Sequence, residues 1–202
     1  MYYQITDKHL KTLKKKMLHL FGRTKSTLGF DELNILSKIK TLYKDLEELN
    51  ETEFLEIANE VYKSINPRGN RKLDLVWLLV LLQGYNEVTK YVYLNEVDRK
   101  CARLYESVMS SKRKAKELIT ARNLWWSQTS QFADNVTEYA VITAYIDMGI
   151  KKVKWNTQKD DKVCKSCEER DGKIYSINNL PVKHYHCRCY YTPIIESGGK
   201  DG

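Results

Sequence analysis

Four of the five cysteines fall in the last 40 residues, and they come in two groups. Cys164-Lys165-Ser166-Cys167 is a C-x-x-C knuckle, and His184-Tyr185-His186-Cys187-Arg188-Cys189 carries the second group. The segment around them is short, with β-rich pieces separated by polar turns, and so small a module has little core of its own. Two donor pairs separated by such a stretch are the usual sign of a structural tetrahedral zinc site. The tight turn of C-x-x-C brings both thiolates to one metal while backbone N–H groups point at the sulfurs. The second pair closes the tetrahedron and fixes the hairpin.

Six donors compete for four places. Cys164 and Cys167 form the first pair. The second is His184 with Cys187, His184 with Cys189, or Cys187 with Cys189, and His184 with one of the two cysteines is preferred. In a strand Cys187 and Cys189 point to one side, whereas His186 and Cys187 face apart, so His186 is the weakest candidate. The candidate metal residues are therefore Cys164, Cys167, His184, Cys187 and Cys189, with structural Zn2+ as the cofactor. Reduced thiols and a disulfide are the competing readings. A disulfide suits an oxidising compartment, and Met1–Leu20 shows no secretory signal. The longest apolar run, Leu75–Leu82, is too short to cross a bilayer.

The texture changes at Gly149. Before it, apolar residues recur at three- and four-residue steps, so residues 1–149 read as a helical body. A basic arm over 1–25 ends near Gly22. Asp31 caps a helix carrying Leu33 to Leu49. Asn50-Glu51-Thr52-Glu53 reads as a capping box that starts a new helix, closed by Asn66-Pro67. Lys72–Gln83 reads as the most buried helix, stopped by Gly84. Glu87–Met109, Lys112–Trp126 and Ala133–Met148 follow as helices. Residues 150–196 then form the β-rich module, with strand-like pieces at 152–155, 173–177 and 189–194, and 197–202 form a frayed tail. The expected class is α+β, a mainly helical body followed by a small β-rich zinc-binding module.

Charge is unevenly placed on a chain whose net charge is +8. Residues 1–30 hold seven bases and one acid, whereas 31–60 hold nine acids and three bases. Lys14, Lys15 and Lys16 on the arm, with Lys112, Arg113, Lys114 and Lys116, are candidates for sequence-independent contact with phosphates. The acidic stretch suits a basic partner surface, and solvated helix faces are the plain reading of both. Trp125-Trp126 cannot face one way on a helix, which leaves one of them as a candidate interface anchor. Cys101 reads as a buried thiol, and His9 and His19 as surface residues without partners.

No G-x-S-x-G, P-loop, G-x-G-x-x-G or H-E-x-x-H is present. Asp160, Asp161, Glu168, Glu169 and Asp171 read as turn and solubility residues. A metal-dependent nuclease in the His-rich hairpin would need an open metal position and a histidine outside the ligand set. The cysteines close the site, so the expectation is a non-enzyme, with the nuclease and a zinc-stabilised DNA-binding protein as alternatives.

Thr137-Glu138, a helix to Gly149, Trp155-Asn156-Thr157, Asp160 or Asp161, Cys164-x-x-Cys167, Asp171-Gly172, Pro181 and His184-x-x-Cys187-Arg188-Cys189 arrive in one order. This resembles the minor head protein family of tailed bacteriophages, the Mu protein F type, over about residues 130–195. The resemblance implies a virion structural protein present in few copies inside the capsid near the portal, with the host cytoplasm as its place of assembly. It implies a part in head morphogenesis and DNA packaging or ejection. The implied partners are the portal protein, the major capsid or scaffold protein and non-specific double-stranded DNA, with no membrane. Some relatives carry an added toxin domain, and none is expected after this motif. Arg188 and Trp155 match the family's Arg and Trp. Val136 stands where relatives often have an Arg before Thr-Glu, which leaves Glu138 without that charged contact.

Overall fold

Leu13, Met17 and Phe21 recur at four-residue steps, and this buried stripe defines one face of helix α1, Tyr3–Thr27. The computed structural model describes residues 2–27, 34–78, 97–184 and 187–195. Among the described residues three further long helices of the body follow: α2, Ile35–Ile65; α3, Val97–Ser110; and α4, Lys114–Asp147. After α4 come strand β1, Lys152–Asn156, the single-turn helix α5, Lys165–Glu168, and strands β2, Ile174–Ser176, and β3, Tyr190–Pro193. The chain is mainly helical with one small sheet, an α+β arrangement.

Side-chain pairs fix how the helices run. His9 meets Glu60 and Arg23 meets Asp45, so α1 and α2 are antiparallel. The Thr6 and Thr137 hydroxyls share a buried hydrogen bond of 2.6 Å, and Lys14 lies over the Trp126 ring, so α1 is also antiparallel to α4. Tyr43 packs on Trp125 and Phe54 on Phe132, with centroids 5.3 and 4.9 Å apart, which makes α2 and α4 parallel.

Two signals that read as helix breaks lie inside continuous helices. Asn50–Glu53 is no capping box, because α2 runs through it for 31 residues. Residues 127–132 do not separate two helices, because α4 runs through them for 34 residues. The two polar patches face each other: Asn50 Nδ2 donates to Thr129 Oγ1 at 3.1 Å, with both residues buried. Gly22 likewise sits inside α1, where buried Phe21 and Thr24 hold the helix despite the cost of glycine.

Other boundaries follow the sequence. Asn66 caps α2 and donates its backbone N–H to Tyr62 O. At the end of α4, Gly149 takes φ +76°, with its N–H bonded to Ile146 O and the Ile150 N–H to Tyr145 O. That is a Schellman stop, which needs a residue tolerant of the left-handed region. Of the expected helix over Lys72–Gln83, residues 75–78 are helical. Leu73 and Leu78 are buried but Leu75 and Val76 are exposed, so this apolar part is not buried on every side. Leu79–Gln83, Gly84, 87–96 and the Asp31 cap lie outside the described residues, as do His186 and the tail from 196.

β1 is the middle strand of the order β2-β1-β3 and pairs antiparallel with both neighbours. Val153 and Trp155 are fully buried while Lys152 and Lys154 are exposed, the alternation of a one-sided sheet. The buried face does not form a core of its own. Val153, Trp155 and Tyr191 belong to the same apolar cluster as Leu13 of α1, Phe54 of α2 and Phe132 of α4. A second cluster joins α1, α2, α3 and α4 around Met17, Leu42, Cys101 and Trp125.

Candidate metal centre

The donors come from the two connections that flank β2. Cys164 and Cys167 sit between β1 and β2. There the Cys167 and Glu168 N–H groups bond Cys164 O at 2.9 and 3.0 Å, closing the one-turn helix α5. His184, Cys187 and Cys189 sit between β2 and β3. The Cys187 N–H bonds His184 O at 3.1 Å, the same residue spacing as the Cys167 N–H on Cys164 O.

His184 Nε2 lies 3.2 Å from Cys164 Sγ and 3.1 Å from Cys167 Sγ. The Sγ atoms of Cys167 and Cys187 are 3.6 Å apart. Cys164, Cys167 and His184 form one set of converging donors, and Cys167, Cys187 and Cys189 form a second. Cys167 belongs to both. A tetrahedral zinc with thiolates at about 2.3 Å has an S–S edge of about 3.8 Å. The Cys167–Cys187 spacing fits that edge, and the S–N spacings fall within about half an ångström of theirs. All five cysteines are free thiols. The cluster could thus hold a metal ion.

Electrostatics separates the donors. Backbone N–H bonding from Cys167 holds the exposed Cys164 thiol below the ordinary value. Burial pushes Cys167 well above it and Cys189 up to about 11. Without a cation the buried thiols keep their protons, and a metal must displace them.

The remaining residues of the ordered motif brace these loops. Trp155 is buried in the core. Thr157 donates its backbone N–H and its hydroxyl to Asp171 Oδ1 at 2.8 and 3.1 Å. Gly172, at φ +77°, returns its N–H to Trp155 O. Asp160, rather than Asp161, receives the Arg188 guanidinium at 2.6 and 2.7 Å, which holds its carboxyl below the usual range. Asp160 and Asp171 are therefore structural partners, more than solubility residues. Tyr191 donates its hydroxyl to Pro181 O. Val136 is buried, and Glu138 finds its charge partner in Lys183, 2.7 Å away.

His9 is not a partnerless surface residue. Its Nδ1 lies 3.2 Å from Glu53 and 3.8 Å from Glu56, and its Nε2 lies 2.9 Å from Glu60. Glu53 is buried and also takes Lys16 at 2.6 Å. The spacing of Glu53, Glu56 and Glu60 on one helix face is the signal that could have found this cluster. His19 is exposed and Cys101 buried, as the sequence suggests.

Lys16 is thus committed to an ion pair and Lys14 to the Trp126 ring. Lys15, Lys112, Arg113 and Lys116 are exposed, and Lys114 is half-buried. Trp125 is buried and Trp126 half-buried between the two apolar clusters, so most of the Trp pair packs inward. Among the described residues no helix is long and apolar enough to cross a membrane.

The family described as phage Mu protein F like protein matches residues 87–192, more than half of the chain. A Haemophilus influenzae protein (strain ATCC 51907 / DSM 11121 / KW20 / Rd), described as uncharacterized, is 33% identical over 57 residues. That stretch is 25% of this chain and 13% of the relative, so the chain spans a small part of the curated protein it matches. No solved structure matches.

Proposed function

The chain belongs to the phage Mu protein F like family, and on that premise we propose that it is a minor structural protein of the phage head. Its place is the capsid interior near the portal, and its work is head morphogenesis and DNA packaging or ejection. One observation carries the structural, non-catalytic reading. The family-matched region spends its ordered motif on bracing a Cys/His cluster, with Thr157 on Asp171, Arg188 on Asp160 and Lys183 on Glu138. Cys164, Cys167, His184 and Cys187 supply two donor pairs, with Cys189 buried beside them as the fifth donor. A bound Zn2+ would supply a cross-link between the two loops. Exposed Lys15, Lys112, Arg113 and Lys116 would meet DNA phosphates without regard to sequence. The portal protein and the major capsid or scaffold protein are the partners this reading names.

Two measurements test it. Elemental analysis of protein purified without added metal should give one zinc per chain, and a chelator should lower the melting temperature. No metal and an unchanged melt would remove the zinc cross-link while leaving the head assignment standing. Mass spectrometry of purified virions and proheads should find the chain in few copies per particle. Its absence from both would end the head-protein reading.

A further inference from the structure

The Lys183 ammonium binds more partners than a surface lysine needs. Its Nζ lies 2.7 Å from Glu138 Oε2, with 9% of the lysine side chain and 13% of the glutamate side chain exposed. It also donates to the Cys189 carbonyl. It stands 4.8 Å from the Tyr191 ring centroid and 5.5 Å from that of Trp155. Lys183 directly precedes His184, and its ammonium bonds the backbone of Cys189, so one cation grips both ends of the second donor segment. Glu138 anchors that cation to α4, whose neighbouring residue Thr137 is bonded to Thr6 of α1. The pair closes one wall of a cavity of about 300 Å³ between α4 and the 177–183 segment.

We infer that Glu138 and Lys183 are positioning residues that set the register of the His184–Cys189 donor segment against α4. The inference rests on the metal reading only for its effect on affinity; the register itself is a property of the metal-free chain. A half-buried carboxylate and ammonium are costly to take out of water, so such a pair is by itself weak evidence for stability. Partners that orient a ligand from behind typically change metal affinity 10- to 100-fold when lost.

The test is Glu138→Gln, which keeps the shape and removes the charge, beside Lys183→Arg, which keeps the cation. In metal-free protein, hydrogen exchange at the Cys187 amide should quicken at least tenfold in Glu138→Gln, while amides in α1 and α2 stay at wild-type rates. Lys183→Arg should stay within about threefold of wild type. In metal titrations against a chromogenic chelator, Glu138→Gln should bind Zn2+ 10- to 100-fold more weakly, and its Co2+ absorption should change in position or intensity. Unchanged Cys187 exchange in Glu138→Gln overturns the inference whatever the metal does. Faster exchange with no Zn2+ binding by the wild-type chain upholds the positioning role and removes the metal reading alone. If Glu138→Gln shows lost helical circular dichroism, Lys183→Met read by the same exchange decides the matter by the same criteria.

Discussion

Asp134 shows how a single side chain can work against the fold that holds it. It sits half-buried on α4, and burial, reinforced by nearby Asp7, raises its carboxyl to about 6. Lys183 offsets this only in part. The folded state therefore holds a proton that the unfolded chain releases near the ordinary value of 3.8. Between those two values the native state binds more protons than the unfolded one, so stability falls as pH rises. Above about pH 6 the native carboxylate is ionised and the whole penalty is present. Asp134→Asn removes the titration, and it should raise stability at pH 8 by about 3 kcal/mol at most. At pH 4 the two proteins should nearly coincide. Urea midpoints at both values check this, and an equal gain at pH 4 would mean that charge is not the cause.

At the scale of elements, the Asn50–Thr129 bond decides where two helices continue. Each polar patch looks like an interruption when read alone, because Asn, Ser and Thr compete with the helix backbone. Each is polar because it meets the other inside the core. Asn50→Ala leaves a buried Thr129 hydroxyl without that donor and should cost about 1–3 kcal/mol. Asn50→Leu with Thr129→Val removes both polar partners and should cost clearly less than the sum of the single changes. A double-mutant cycle of unfolding free energies measures the difference, and strict additivity would show that the bond contributes nothing. Periodicity located α1, α2 and α4 and the faces they bury, since Leu13, Ile57 and Val136 follow helical spacing. It could not show that two distant polar patches satisfy each other, because that contact spans 79 residues of sequence. The convergence of Cys164, Cys167, His184, Cys187 and Cys189 was legible for the opposite reason: C-x-x-C and H-x-x-C hold their donors at short sequence spacing. The ion pairs His9–Glu53 and Glu138–Lys183 were not, because each joins segments far apart in the chain.

For the whole molecule, the sheet and the helices share an apolar cluster, and this bears on how the chain unfolds. Trp155 is fully buried, packs edge-on against Tyr191 with centroids 5.4 Å apart, and belongs to the cluster that contains Phe54 and Phe132. A zinc module that folded by itself would keep such residues within its own boundary. Here the sheet contributes part of the helical core and receives part of its own, so losing either exposes the other. Small domains whose elements share a core usually unfold in a single transition. The expected outcome is that helical circular dichroism and labelling of the buried Cys167 and Cys189 thiols change at one urea midpoint. The measurement uses a Cys101→Ala variant, so that the buried reactive thiols all report on the sheet end. If the proposed Zn2+ is bound, chelation should then move both signals together, because a ligand that binds only the folded state stabilises everything that folds with it. Thiols that become labelled well below the helical midpoint would instead mark residues 150–196 as a unit that opens alone. In that case the metal would be holding the sheet end closed against the helices, and its removal would leave the helical body standing.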